Sequence, residues 1–194
     1  MADRARQLAF ITSESDSLRE VVDRLDAEVT GALADVLVAV VECLEAGGTL
    51  LVAGNGGSAA DAGHLAAEFL GRCTKERGPL RAIALPDATA TVTAVGNDYG
   101  YAEVFARQVR ALARAGDVVL LLSTSGSSLN VVEAARAGRE VGATVAAFTG
   151  AAGSALADAS DIAVRVPSLS TQRIQEVHQL WGHTLAAWVD EALA

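Results

Sequence analysis

Positive charge is scarce in this sequence. The chain has 15 Lys and Arg residues against 24 Asp and Glu residues, which gives a formal net charge of -9 at pH 7. A protein that binds nucleic acid needs a basic surface to displace counterions, and adhesion to an anionic membrane needs one as well. The charge balance therefore argues against both kinds of partner. A bound phosphate would have to be held by local backbone dipoles, since no broad basic field is available.

Cysteines and long apolar runs are also scarce. Cys43 and Cys73 show neither a CxxC spacing nor a zinc-knuckle pattern, so we expect two reduced, structural thiols. No apolar run reaches the roughly 20 residues that are needed to span a bilayer. The N-terminal segment MADRARQLAF is charged and lacks the apolar stretch of a signal peptide. We therefore expect a soluble, cytoplasmic protein.

Aromatic residues make up only 4% of the chain, although 51% of it is hydrophobic. The core must therefore be built from Ala, Val, Leu and Ile. A chain of 194 residues suits one domain of ordinary size, and we see no internal repeat, low-complexity segment or interdomain linker. We predict a single domain over residues 1–194, with an N-terminal helical extension over 1–46 and an α/β core over 47–194.

Apolar runs alternate with helical patterns throughout the predicted core. Five runs are typical of buried strands, at residues 49–54, 81–85, 118–124, 144–150 and 161–167. Helical patterns follow them, at residues 58–72, 102–114, 129–141, near 154–159 and from about 171. Strands that are apolar throughout, each followed by a helix, indicate a parallel sheet that is covered on both faces. The sequence therefore predicts a three-layer α/β sandwich with a five-stranded parallel sheet.

The extension is helical in pattern. Ser15 or Asp16 could cap a helix that starts near Leu18, and Gly31 is a candidate break. The later segment ALADVLVAVVECLEA is apolar on most faces, which indicates a helix that is buried on more than one side.

A glycine loop follows the first predicted strand. Its spacing of Gly54, Gly56 and Ala59 overlaps the G-x-G-x-x-A fingerprint of dinucleotide-binding folds. That fingerprint also needs an acidic residue about 20 positions on, at the end of the second strand. The first acidic residue after that strand is Asp87, which lies 33 positions past Gly54. The sequence therefore disfavours a dinucleotide site.

A hydroxyl loop follows the third predicted strand. Five of the six residues in Ser123–Ser128 carry a hydroxyl, and a helical pattern comes next. A helix N-terminus offers unpaired N–H groups and a positive dipole end. One hydroxyl would be enough to cap the helix, so the excess favours a phosphate monoester at the carboxyl end of the strands. There is no Walker lysine, which disfavours hydrolysis of a nucleoside triphosphate.

Polar residues on two helices suggest proton transfer or metal binding. His64 and Glu68 are four positions apart and share one helix face beside the glycine loop. The alternatives to such a role are that His64 and Glu68 form a polar pair at the solvent side and that His183 is a histidine packed within its helix. The nearby phosphate loop favours a role in the functional site. Gln175 and His183 are eight positions apart, about 12 Å along a helix and roughly 80° around it. A site that uses both is therefore expected to combine two copies of the chain, with Glu68 and His183 on different copies.

Four motifs occur in a fixed order and carry a family resemblance: AGNGGSAADAGHLAAEFLGR, AVGNDYG, LLSTSGSSLNV and RIQEVHQLWGH. Together, from about Leu51 to His183, they resemble the sugar-isomerase (SIS) family, and within it the isomerases of a phosphorylated seven-carbon sugar. The resemblance implies isomerisation of sedoheptulose 7-phosphate to D-glycero-D-manno-heptose 7-phosphate, at the start of activated-heptose biosynthesis. It also implies a homotetramer with active sites at the subunit interfaces.

The resemblance also implies roles for individual residues. Glu68 is the general base and His183 is the general acid. Asn97 and Asp98 contact the sugar. The remaining substrate contacts are Asn55, Gly56, Gly57, Ser58, Glu68 and Gln175, with Ser123, Thr124, Ser125 and Ser128 around the phosphate. One zinc ion per subunit is implied, held by His64, Glu68, Gln175 and His183.

The sequence departs from the family pattern at three positions. Gln172 stands where several members have an acidic residue, Ser127 replaces a common Asn, and Gly182 loosens the terminal helix. A rival hypothesis is a non-catalytic relative that binds the replication initiator, but retention of both Glu68 and His183 favours an enzyme. A second rival is an isomerase or etherase of another phosphosugar, which the NGGS, NDYG and RIQE motifs disfavour.

Overall fold

The computed structural model describes residues 2–152 and 155–194. Two helices, α1 (Ala2–Val22) and α2 (Ala27–Glu45), precede the sheet. The predicted helix start near Leu18 and the predicted break at Gly31 are both wrong. Ser15 does not cap a helix, because its hydroxyl donates to the Ile11 carbonyl inside α1. The break falls at residues 23–26, where the Asp26 carboxylate accepts from two N–H groups at the start of α2, each at 3.0 Å.

The predicted five-stranded parallel sheet is confirmed. Its strands are β1 (Leu50–Gly54), β2 (Ala82–Ala84), β3 (Val118–Ser123), β4 (Thr144–Gly150) and β5 (Ile162–Val166). All four pairings are parallel, in the spatial order β2-β1-β3-β4-β5. Because β1 and β3 are neighbours, with Gly54 opposite Leu122, the glycine loop and the hydroxyl loop leave the sheet side by side at its carboxyl edge.

Six further helices surround the sheet in the described residues: α3 (Gly57–Leu70), α4 (Thr89–Tyr99), α5 (Ala106–Leu112), α6 (Leu129–Glu140), α7 (Ala155–Ala159) and α8 (Thr171–Leu193). Short 3₁₀ turns occupy Leu85–Asp87 and Tyr101–Glu103. The second turn shortens the helix that was expected from residue 102. The short helix expected near 154–159 begins at Ala155, and residue 154 lies outside the described residues. α4 was not predicted, because its sequence TATVTAVGNDY is rich in β-branched residues, which have modest helix propensity.

Hydrophobic cores cover both faces of the sheet. One core contains buried residues of α2, α3 and α8, and the other contains buried residues of α5, α6 and α7. No described helix combines the length and the apolar character that are needed to cross a membrane. Since α3 and α8 share one face, the helix with His64 and Glu68 lies beside the helix with Gln175 and His183.

Candidate active site

The glycine loop allows α3 to start close to the sheet edge. A Cβ atom at Gly54 would lie 2.9 Å from the Leu122 carbonyl oxygen and 2.7 Å from the Ser58 Cβ, so a larger residue would clash. Gly56 has a φ of +56° and occupies the N-cap of α3, a conformation that side chains rarely adopt. These two glycines bring the first N–H groups of α3 to the carboxyl edge of the sheet.

The hydroxyl loop and the glycine loop face a common depression of about 110 Å³. It is lined by Asn55, Ser58, Leu122, Ser123, Thr124, Ser125 and Ser128. The Ser128 side chain makes no hydrogen bond to the start of α6, although Ser128 occupies the N-cap position. Its hydroxyl is therefore available to a ligand. The residues predicted to bind phosphate therefore line the same depression as Asn55 and Ser58 of the glycine loop. No described Lys or Arg lines this depression.

His64, Glu68 and His183 of one chain form a compact cluster. The Nε2 atoms of the two histidines are 2.8 Å apart, and the His64 Nε2 lies 3.8 Å from a Glu68 carboxylate oxygen. One ligand atom from each residue lies within 4.8 Å of the other two. Two imidazole nitrogens and a carboxylate oxygen are a donor set that zinc commonly takes.

The packing of two parallel helices explains how one chain supplies all three groups. Gly182 is buried, and a Cβ atom there would lie 3.7 Å from the Leu65 side chain, an ordinary contact distance, so α8 packs against α3 at this level. α8 nevertheless continues unbroken through Gly182. His183 therefore faces His64 and Glu68 across the contact. The expectation that Glu68 and His183 come from different copies of the chain is wrong for this cluster.

Gln175 lies two turns earlier on α8, against the start of α3. A Cβ atom at Gly57 would lie 2.3 Å from the Gln175 amide nitrogen. Burial raises the pKa of the Asp61 carboxyl, although the neighbouring Gln175 amide and His64 lower it in part. Asp61 also lines a small cavity of about 10 Å³ together with His64 and His183. Gln175 therefore lies next to Asp61, which separates it from His64 and His183.

His178, the third histidine, belongs to the core. Its ring packs against Phe148 and Trp181, and one ring nitrogen lies 3.3 Å from the Thr149 carbonyl oxygen. Burial lowers the pKa of His178 to about 4, against a smaller opposite effect of that hydrogen bond. His178 is therefore neutral at pH 7 and supports the wall behind His183.

The predicted sugar contacts Asn97 and Asp98 are not brought into the cluster. They lie exposed at the end of α4, where the Asn97 amide donates to the Asp98 carboxylate at 2.7 Å. Neither lines the depression or the small cavity beside His64. Their role as sugar contacts stays a prediction.

Several residues around the site were missed by sequence reasoning. Burial raises the pKa of the Cys73 thiol, and the charge of the neighbouring Glu68 carboxylate raises it further. The Arg77 guanidinium donates to the Glu68 carbonyl at 2.9 Å. Asn130 and Tyr101 hold the side chain of Asn55. Only Asn130 had a signal in the sequence, since it lies in the motif LLSTSGSSLNV.

Comparisons with known proteins show which family the chain belongs to. The SIS domain family model matches residues 15–150. The phosphoheptose isomerase of Rhodospirillum rubrum is 51% identical over 162 residues, which cover 84% of this chain and 86% of the relative. The phosphoheptose isomerase of Roseiflexus is 48% identical over 194 residues, with coverage of 94% and 98%.

A solved structure extends the likeness to the whole fold. The phosphoheptose isomerase from Francisella tularensis superposes with a TM-score of 0.91 at 39% identity, and the match covers 95% of this chain and 98% of that chain. The chain therefore belongs to the SIS domain family and, within it, to the phosphoheptose isomerases.

Proposed function

We propose that this chain isomerises sedoheptulose 7-phosphate to D-glycero-D-manno-heptose 7-phosphate through an enediol. The observation that carries the proposal is the His64–Glu68–His183 cluster of one chain, built on α3, whose first turn borders a hydroxyl-lined depression. A ketose-to-aldose isomerisation needs a base that moves a proton between adjacent carbons and an acid that serves the two oxygens. The product would feed the biosynthesis of activated heptose in the cytoplasm.

Glu68 is the proposed base. Its side chain is 21% exposed, against 44% for His64, so it is partly shielded from water and still open to a ligand. It would remove the proton from C1 and return it to C2. His183 would move protons on the oxygens of C1 and C2 from the opposite side of the cluster. Positioned acid–base groups of this kind contribute about 10² to 10⁴-fold each.

The phosphate would lie in the depression between the two loops. Since no described Lys or Arg lines the depression, the charge of the phosphate would be balanced by hydroxyl groups and by the N–H groups at the starts of α3 and α6. Ser123, Ser125 and Ser128 are the proposed hydroxyl donors. Asn55 and Ser58 would contact the ligand from the glycine loop, with the Gly56 and Gly57 backbone beside them.

The donor set also fits a zinc ion. His64, Glu68 and His183 would hold it, and Gln175, which contacts Asp61 in the same wall, is the fourth position that the resemblance implies. A bound zinc ion polarises a substrate carbonyl and stabilises negative charge on its oxygen. Glu68 cannot be a fully effective base while it is tightly bound to a cation, so its two roles compete.

The proposed homotetramer has active sites at the subunit interfaces. It is supported by exposed apolar side chains of α1, namely Leu8, Phe10 and Ile11. It is also supported by α4, in which no residue is buried although it carries Asn97 and Asp98. A neighbouring chain that covers these helices could direct Asn97 and Asp98 towards the sugar. Light scattering on the purified protein measures the number of subunits.

Direct conversion tests the proposed reaction. The purified protein is incubated with sedoheptulose 7-phosphate, and NMR follows the anomeric proton of an aldoheptose phosphate. We expect the aldose signal to grow until the two sugars reach equilibrium. Ribulose 5-phosphate and fructose 6-phosphate serve as shorter ketose phosphates. Faster conversion of either one would identify an isomerase of another phosphosugar, and conversion of none would favour a non-catalytic binding protein.

A further inference from the structure

Asn55 lies in a closed hydrogen-bond network with two residues outside the glycine loop. Its amide nitrogen donates to the Asn130 amide oxygen at 2.9 Å, and the Asn130 nitrogen donates back to the Asn55 oxygen at 2.8 Å. The Tyr101 hydroxyl donates to the same Asn55 oxygen at 3.0 Å. The two amides therefore form a reciprocal pair, and Tyr101 supports it from a third element.

These contacts leave Asn55 with one free polar function. A side-chain amide has two N–H donors and an oxygen with two lone pairs. Asn130 and Tyr101 occupy both lone pairs, and Asn130 takes one of the two N–H groups. The remaining N–H is the only polar group that the Asn55 side chain still offers to a ligand, so the side chain recognises an oxygen acceptor.

Asn130 itself does not line the depression. It is 3% exposed and lies in the first turn of α6, whereas Asn55 is one of the lining residues. A buried amide has to be hydrogen-bonded, and both side-chain hydrogen bonds of Asn130 are made to Asn55. Any effect of Asn130 on a ligand must therefore pass through Asn55.

We propose that Asn130 is a positioning residue that, with Tyr101, locks the Asn55 amide with its free N–H towards an oxygen of the bound sugar phosphate. The inference rests on the proposed function and assigns a role to two residues that do not line the depression. The pair also ties the loop after β1 to the helix after β3, which are the two walls of the depression. The acceptor is an oxygen of the phosphate or of the sugar.

A double-mutant cycle on KM tests this role. Asn55→Ala and Asn130→Ala are each expected to raise KM for sedoheptulose 7-phosphate about tenfold, the effect of losing one hydrogen bond to the ligand. The value of kcat should stay within about twofold. The double variant should match Asn55→Ala alone, because Asn130 acts through Asn55. Tyr101→Phe should give a smaller rise in KM. Additive effects, or an unchanged KM in Asn130→Ala, would overturn the proposal.

Two further variants separate positioning from folding. Gln108→Leu removes another buried amide, which donates to the Val104 carbonyl just before α5, and it should leave KM unchanged. Asn130→Asp keeps the shape of the side chain but cannot donate to the Asn55 oxygen, so KM should rise although the protein stays folded. Asn55→Asp replaces the free donor by an acceptor and should raise KM more than Asn55→Ala. Equal or tighter binding by Asn55→Asp would refute the donor assignment.

Inorganic phosphate serves as a second probe, which does not depend on the reaction. Calorimetry measures its affinity for the wild type and for the variants of the cycle. If Asn130→Ala and Asn55→Ala weaken phosphate binding without additivity, the acceptor is a phosphate oxygen; if only KM changes, it is a sugar oxygen. Failure of the proposed reaction is recognised separately, because the wild type would then bind phosphate and leave the sugar unconverted. Effects on phosphate affinity that are additive would again contradict the proposal.

Discussion

Hydroxyl side chains replace lysine in the proposed phosphate site. Ser123 uses its oxygen to accept a hydrogen bond from the Gly126 N–H at 3.1 Å, which shapes the loop and leaves the hydroxyl proton free to donate. The Ser125 oxygen accepts from the Ser127 N–H in the same way. Each serine can therefore accept a hydrogen bond from the loop backbone and donate one to the ligand.

Serine-to-alanine changes in this loop should weaken substrate binding. Ser123→Ala and Ser125→Ala are each expected to raise KM for sedoheptulose 7-phosphate, since a hydrogen bond to a charged group is worth about 1.5–3 kcal/mol. The value of kcat should change little, because neither hydroxyl serves the reacting carbons. Steady-state kinetics measure both parameters, and Ser160→Ala, at the residue just after α7, is the control. An unchanged KM in the Ser123/Ser125 double variant would place the phosphate elsewhere.

A buried ion pair joins the two helices that carry the cluster. The Arg77 and Asp190 side chains are 2% and 0% exposed, and Arg77 Nε lies 2.7 Å from an Asp190 oxygen. Asp190, on α8, also accepts hydrogen bonds from the N–H groups of residues 73–75, just after α3. Arg77 donates to carbonyl groups at the end of α3, including that of Glu68. The pair therefore fixes the end of α3 against α8.

Loss of the Asp190 charge should destabilise the protein. Burial alone would raise the Asp190 pKa, but the N–H groups and Arg77 outweigh it and lower the pKa to about 2. A carboxyl group with a lowered pKa in the folded state contributes stability above its ordinary pKa of about 4, and this stability is lost as the pH falls towards 2. The change over that window should be about 2 kcal/mol.

Urea unfolding between pH 7 and pH 2 measures this contribution. Asp190→Asn should cost about 3–5 kcal/mol at pH 7, because it leaves the Arg77 charge buried without a partner. It should also remove the corresponding part of the pH dependence. The control is Glu191→Gln, at the position next to Asp190, which breaks an exposed ion pair with Lys75. It should cost less than about 1 kcal/mol. Equal losses in the two variants would contradict the assignment.

Some elements could be predicted from the sequence and others could not. The strands were predictable because a strand that is buried on both faces is apolar along its whole length, as in VVLLL. α4 could not be predicted, because it has no buried stripe and its β-branched residues favour strands. The break between α1 and α2 depended on Asp26 rather than on Gly31. A glycine inside a helical pattern, such as Gly31, does not end the helix unless the surrounding packing requires the helix to end there.

At the scale of the whole molecule, the relation between α3 and α8 determines the site. Three contacts follow one another along both helices: Gln175 meets Gly57, His183 meets His64, and Asp190 meets the segment after α3. The helices therefore run side by side in the same direction. The residues of the cluster were predictable from motifs and resemblance. Their supply by one chain was not, because an eight-residue spacing on one helix says nothing about the helix beside it.

Mixed oligomers test whether one chain supplies the cluster. Glu68→Gln and His183→Gln subunits are co-expressed with different tags, and the mixed species is purified. Each chain then lacks one member of the pair, so activity should stay as low as in the single variants. Oligomers of wild-type and Glu68→Gln chains are the control and should keep activity in proportion to the wild-type chains. Recovery in the first mixture would mean that the two groups of one site come from different chains.

The turnover of the Glu68→Gln variant tests the central claim most directly. Its kcat for sedoheptulose 7-phosphate is compared with that of the wild type and of Glu76→Gln, which changes an exposed carboxylate on the segment after α3. Bound zinc and thermal stability are measured on the same samples. We predict that Glu68→Gln loses at least about 10²-fold in kcat while it stays folded, and that Glu76→Gln matches the wild type. A kcat for Glu68→Gln within a fewfold of the wild type would contradict the account.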